Sequence, residues 1–224
     1  MGLDATTKDC TALVDSEIAE MADLSAAHGS RFDIGYLSKQ RDEWVLVTQV
    51  HEGEKLRGYG FGSLERIGGT PCVLLGLLLT CRGAKADSVL KSVLSEQYRR
   101  ALLAFPDEDV LVGARLQSHS AYSAFNGLVD VVPRPNYKAT GEERAWGRRL
   151  AKRFGHESGY DDHEFVALGD GDVVGIIDFD SPKAAKQFGQ SHASLFEKVN
   201  PERSDVLIAF GWVLAEDLAA GRVP

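Results

Sequence analysis

The chain has 224 residues, 44% of them hydrophobic and 26% charged, which suits a globular protein with one sizeable core. A formal net charge of −8 argues against a surface that binds nucleic acid broadly, and no apolar run reaches the roughly 18–20 residues of a membrane span. Met1 and the residues after it lack the basic and apolar regions of a secretory signal, so a cytoplasmic location is expected; three cysteines without CxxC spacing (Cys10, Cys72, Cys81) predict reduced thiols.

Residues 1–9 are polar and are expected to fray. A short strand is predicted over 10–14, followed by a helix over 17–27 capped by Asp15 or Ser16 and ended at Gly29. A weaker helix covers 32–41. From Trp44 the period changes: an apolar β-branched run to Val50, a turn at 51–55, a run over 56–65 alternating large residues with Gly58, Gly60 and Gly62, and a turn at Gly68-Gly69 leading to an apolar strand over 72–80. Three strands joined by short loops predict an antiparallel meander. The glycines would leave one face bare, for a bulge or for close approach of a ligand or neighbouring backbone.

After the 72–80 strand come Cys81, Arg82, Gly83, Ala84, Lys85 and Ala86, then a periodic helix to Phe105, stopped by Pro106. A strand entering a helix through a glycine and two cations presents free N–H groups and positive charge at one point, which is an anion site in the making. The strand over 110–114 follows a crossover helix and can pair parallel with 72–80. A short helix is predicted over 118–128. Thr140-Gly-Glu-Glu143 fits a capping box opening a helix to about residue 154. Residues 134–153 hold seven basic and two acidic residues, a local +5. The runs 165–168 and 173–179, joined by Gly169-Asp-Gly-Asp172, read as a hairpin; Ser181-Pro182 starts a helix to about 199, and the stretch 205–220 docks on the core, ending as a helix.

This order of elements resembles the GCN5-related N-acetyltransferase (GNAT) superfamily over about residues 10–179. The resemblance implies an α/β fold with a mixed central sheet: an antiparallel meander, then a parallel strand pair with a crossover helix. Residues 1–180 would form the acyltransferase domain, with a basic helical insertion at about 134–160, and 181–224 a C-terminal helical extension on the same core. In that family the loop after the fourth strand follows Arg/Gln-x-x-Gly-x-Gly/Ala and holds the pyrophosphate of acetyl-CoA. Here Arg82 takes the first position, and Lys85 and Asp87 stand where the small residues belong. The resemblance therefore implies acetyl-CoA or another acyl-CoA as co-substrate, no metal, and Leu79, Arg82, Gly83, Ala84, Lys85 and Ala86 as its contacts, with the carrier threading the splay between the two parallel strands near Leu79 and Arg82.

The family's Asn-x-x-Ala-x-x-x-Tyr pattern, whose tyrosine protonates the leaving thiolate, becomes Ser118-x-x-Ala121-x-x-x-Phe125. Tyr122 or His119 is the substitute proton donor expected in the same segment, with packing as the alternative for Tyr122. Glu65 is the nearest candidate base, or else an exposed charge at a strand end. Cys81, beside Arg82, is either a low-pKa nucleophile or an inert buried thiol. His156, Asp161, Asp162, His163 and Glu164 have ligand chemistry without regular spacing and read as a solvated loop. The helix carrying Arg144, Arg148, Arg149, Lys152 and Arg153 would meet the 3′-phosphate of CoA, an acyl carrier protein, a tRNA acceptor end, or the protein's own carboxylates. Three functions follow: acyl transfer from acyl-CoA or another carrier thioester to a small-molecule amine; acyl transfer from a carrier protein or aminoacyl-tRNA; or a non-catalytic small-molecule-binding or interaction domain.

Overall fold

A computed structural model describes residues 2–222. Its axis is strand β4 (Thr70–Thr80), buried from Pro71 onward, as a continuous apolar run demands when both faces of a central strand are covered. Before it, β1 (Leu3–Asp9), β2 (Leu46–Glu52) and β3 (Lys55–Ile67) form an antiparallel meander with β4. Helices α1 (Asp15–Ala27) and α2 (Ile34–Glu43) lie between β1 and β2 in sequence. Helix α3 (Ala86–Ala104) carries the chain from β4 to β5 (Val110–Leu116), which pairs parallel to β4. Up to β5 the order and pairing are those the resemblance implies.

Two faces of β3 receive different neighbours. Tyr59 and Phe61 are buried, and the Tyr59 hydroxyl lies 2.6 Å from Ser25 Oγ on α1. On the other face, Cβ atoms added at Gly58 and Gly60 would lie 2.5 Å from Val89 Cγ1 and 3.1 Å from Val93 Cγ1. Val89, Val93 and Gln97 succeed one another at every fourth residue, one stripe of α3, so the bare glycine face serves as a seat for this helix.

The N-terminus corrects an expectation. Leu3–Asp9 is an edge strand on β2, whereas Cys10–Ala12, expected as strand, is a single 3-10 turn. Leu3, Ala5 and Thr7 alternate with the more exposed Asp4 and Thr6, a period-2 pattern too weakly apolar to stand out. Met1 lies outside the described residues.

After β5 come a 3-10 turn (His119–Phe125), β6 (Val129–Val132), α4 (Gly141–Arg153), β7 (Tyr160–Asp161), β8 (Val166–Ala167), β9 (Ile177–Asp178), α5 (Pro182–His192), β10 (Val206–Val213) and α6 (Ala215–Ala219). The capping box of α4 forms as expected: Glu143 N–H donates to Thr140 Oγ1 and Thr140 N–H to Glu143 Oε2. Within 181–224, expected as a helical extension, helix occupies α5 and α6. The buried run between them is β10, a full sheet member antiparallel to β5; Val223 and Pro224 lie outside the described residues.

The hairpin expected over 165–179 does not form. Strand β8 pairs with β10 and β7, and β9 pairs parallel with β4. Both runs are apolar, but the second finds a vacant edge in the sheet. Gly169 N–H is held by Asp205 Oδ1 (2.8 Å) and Gly171 N–H by Arg203 O (3.0 Å), which directs the connecting turn away from a hairpin.

The glycine seat gives a stability prediction. Gly58→Ala brings its methyl against β-branched Val89 and against Leu79 O at 2.9 Å, so urea denaturation is expected to show a loss of about 1–3 kcal/mol with unchanged m-value; Gly60→Ala loses less.

Candidate functional site

Strands β4 and β5 pair over Cys72–Leu75 and Leu111–Ala114 and then part. Gly76 sits at the fork. Its missing side chain admits the Trp44 indole, whose nearest ring atom would be 2.0 Å from an added Cβ, and its carbonyl accepts from Arg115 Nη2 at 2.8 Å. Beyond the fork, the freed edge of β4 is covered by β9: Leu78 N–H donates to Ile176 O (3.0 Å), and Leu78 and Leu79 pair with Ile177 and Asp178. The splay expected to take an acyl carrier thus holds an extended segment of the chain itself. Ile177 and Phe179 anchor it, 1% and 2% exposed.

Two cavities flank this segment. One, of about 280 Å³, is bounded by the Gly29–Phe32 turn, Arg82, Gln117, Ile176 and Asp178. The other, of about 640 Å³, lies between α2, Arg115, Phe154, His156 and residues 169–174. Val173, Val174 and Ser204 line both, so the segment is a partition across one groove.

The loop after β4 places the expected anion contacts together. Leu79 and Ala86 are buried, Arg82 is half-buried, and Gly83, Ala84 and Lys85 are exposed, Gly83 at φ +100° with open space where a side chain would be. Both cations are already engaged. Arg82 forms an ion pair with Asp178, and Lys85 one with Glu52. Lys85, then Arg57, holds the Glu52 carboxyl down at about 2. Asp87 accepts from Ser181 Oγ at 3.1 Å, joining the start of α3 to the start of α5. Cys81 is buried, and burial pushes its thiol up, opposite to what a nucleophile needs.

Tyr122 and His119 come together, but under α5. The Tyr122 ring lies 4.5 Å from that of His192 and 5.9 Å from that of Phe188, both on α5. The Tyr122 hydroxyl and His119 Nδ1 are buried without hydrogen-bond partners, and burial raises the Tyr122 pKa. Other residues line the two cavities described above. Glu65 is elsewhere: it pairs with Cys72 at the start of β4, about 30 Å along the strand from Arg82 at ~3.3 Å per residue, and its carboxylate takes a two-bond ion pair from Arg153 (2.7 and 3.0 Å).

The basic helix is largely neutralised from within. Arg148 pairs with Asp162, Lys152 with Glu157 and Arg153 with Glu65, while Arg149 stacks on Trp146 at 4.7 Å. No group of three or more His, Cys, Asp or Glu side chains among the described residues is disposed to hold a metal ion. No helix among them is long and apolar enough to cross a membrane.

Sequence reasoning passed over three residues that shape the groove, Gly76, Arg115 and Asp178, and read a fourth, His156, as part of a solvated loop, whereas it is half-buried in the lining of the larger cavity. Arg115 had a signal, being the one charge in the apolar run 110–116. It is 4% exposed, stacks on Phe154 at 4.9 Å, and no carboxylate among the described residues lies within 4 Å of it. Burial, then Arg115, lowers the His156 pKa to about 4, which keeps this ring neutral.

The meander, the parallel pair and the crossover helix form a mixed α/β sheet whose element order, up to β5, is the one the sequence resemblance implies. No protein-family profile matches the chain, and no curated protein sequence matches it. By structure it is similar to an acyl-CoA N-acyltransferase from Pseudomonas aeruginosa, at 16% identity, covering 62% of this chain and 92% of that one, with a TM-score of 0.42. It is likewise similar to aminoglycoside 6′-acetyltransferase type Ii (11% identity, 59% and 88% covered, TM-score 0.42). A third is a ribosomal-protein-alanine N-acetyltransferase from Brucella melitensis biovar Abortus 2308 (13%, 50% and 80%, TM-score 0.38).

His156 sets a pH dependence. Its folded pKa of about 4 lies below the ordinary 6.5, so between those values the unfolded chain binds more protons and stability falls as pH falls. Burial lowers His28 and His192 in the same direction. Urea midpoints measured from pH 7 to 4 are expected to drop for the native chain and to drop less for His156→Gln.

Proposed function

We propose that the chain is an N-acyltransferase that moves an acyl group from a carrier thioester, acyl-CoA being the first candidate, to the amine of a small molecule. One observation carries this reading: the edge of β4 beyond the fork is satisfied by an extended, amide-bearing segment with an anionic side chain placed on Arg82. A pantetheine arm is also extended and amide-bearing, and it ends in phosphates. The donor would take the place of residues 175–178, putting its amides on β4 and its pyrophosphate near Arg82 and Lys85. The free amine attacks the thioester carbonyl, the C–S bond breaks, and the proton released by the new ammonium passes to the departing thiolate. Backbone N–H groups of β4 left free by β9 polarise the carbonyl.

Magnitudes favour exchange at the loop. Half-exposed pairs such as Arg82–Asp178 contribute ~0–1 kcal/mol. A pyrophosphate carries more charge than either carboxylate and can bridge Arg82 and Lys85 at once, so it can displace both. Strand β9 and α5 are joined through Phe179, Asp180 and Ser181, so withdrawal of the strand moves the helix that covers Tyr122 and His119. That movement is what a proton-donor role for either residue requires. Glu65, held by Arg153 at the other end of β4, is given no part in this scheme.

A second reading, a small-molecule binder without turnover, is favoured by the internal pairing of both loop cations. Calorimetry with acetyl-CoA and longer acyl-CoAs, alongside thiol release with a panel of amines, separates the two. Ile177→Ala, which weakens the partition's buried anchor, is expected to tighten CoA binding on the order of tenfold, and Asp178→Asn by only about threefold. Binding without thiol release supports the binder. Absence of CoA binding at millimolar ligand in all three proteins removes the CoA reading.

A further inference from the structure

The larger cavity has a feature that the fold does not need. Arg115 projects from β5 at the fork, nearly fully buried, and a guanidinium has five N–H donors to satisfy. Nη2 donates to Gly76 O at 2.8 Å and Nη1 to Phe154 O at 3.4 Å; Nε, also buried, has no partner. A buried cation with no carboxylate among the described residues within 4 Å is costly in a chain with 33 acidic residues to choose from. A second polar atom is orphaned on the same wall: His156 Nε2 is buried and unbonded.

The rim has the opposite character. Asp33 and Glu43 on the α2 side and Asp170 and Asp172 on the turn opposite are exposed around the cavity, with Lys39 beside the first pair and Arg31 bonded to Gly171 O between the second. Their backbone duties leave charge to spare: Asp33 Oδ1 caps α2 by accepting from Tyr36 N–H, and Asp170 Oδ1 accepts from Asp172 N–H. The cavity thus runs from a positive floor to a negative mouth, with Tyr36, Phe154, Val173 and Val174 as apolar walls.

We propose that this cavity binds a small molecule carrying both a carboxylate and an amine, the carboxylate forking onto Arg115 and the ammonium lying among the rim acids. Arginine suits that task because its planar fork matches a carboxylate with two parallel hydrogen bonds. His156 Nε2 offers the second contact at the floor. That such a ligand is the acyl acceptor rests on the acyltransferase reading above; that it binds does not, and the test uses no acyl donor.

The probes are glycine, β-alanine, 4-aminobutyrate and 6-aminohexanoate, a series in which only the separation of the two charges grows. Each is paired with its carboxamide and with the fatty acid lacking the amine. Calorimetry is expected to find saturable binding for at least one length, with the carboxamide weaker by about tenfold or more. The Arg115 Nε–H resonance is expected to shift with the acid and not with the amide. Asp170→Asn with Asp172→Asn, both exposed, is expected to weaken the amino acid and leave the fatty acid unchanged. Arg115→Lys assigns the resonance and should lose the preference for acid over amide; if it fails to fold, the acid–amide comparison on the native chain still decides. No binding by any member, or equal binding of acid and amide, overturns the site. Equal binding of amino acid and fatty acid overturns its amine half.

Discussion

The parting of β4 from β5 after Leu75 and Ala114 is the constraint on which the rest of the structure depends. A buried strand cannot leave its N–H and C=O groups unpaired without losing about 1–3 kcal/mol for each. At the fork, two groups released from the ladder find other partners. Gly76 O is taken by Arg115, and Leu78 N–H by Ile176 O. The glycine at 76 follows from the same geometry, because Trp44 closes over the fork from the end of α2. Arg115, Trp44 and β9 are thus three solutions to one problem, supplied from three distant parts of the sequence.

Distance in sequence decides what could be read beforehand. The meander, the crossover helix and the capped helix α4 are written in local period, turn glycines and a Thr140–Glu143 box, and they form where expected. The strand–loop–helix that carries Arg82 is also local, so the loop was legible as a place, whereas the partner of Arg82, Asp178, comes from a distant part of the sequence. What escaped were features fixed by a long-range choice after β5. Nothing near residues 173–179 distinguishes a hairpin from a strand inserted elsewhere in the sheet, since both need the same apolar run. Strand β10 escaped for a similar reason: a fully buried strand lacks the alternation that separates it from a buried helix. Its neighbours in the sheet, not its own period, make it a strand.

Charges are arranged around the groove with the same economy. Asp205, fully buried, is held down to about 2 chiefly by Arg203, and its two oxygens fasten the turn at Gly169 and the one at Asn200. This fixes the base of the segment that leads to β9. Farther along, Arg31 Nη2 donates to Gly171 O at 2.9 Å, tying the α1–α2 turn to the same turn. The partition is therefore anchored firmly at its start and only by β9 and Asp178 at its middle.

That asymmetry bears on whether the groove opens. Burying Ile177 and Phe179 contributes about 1.5–3 kcal/mol each, whereas the Arg82–Asp178 pair, 32% and 18% exposed, contributes less than about 1 kcal/mol after solvent screening. The apolar anchors, not the ion pair, are what an incoming donor must outcompete. A ligand that offers only phosphates to Arg82 and Lys85 would leave β9 in place. One that also lays an extended, amide-bearing arm along β4 replaces the backbone bonds at the same time, and only such a ligand regains enough of what the displaced strand gives up. The shape of the stopper therefore selects for the length and chemistry of whatever removes it.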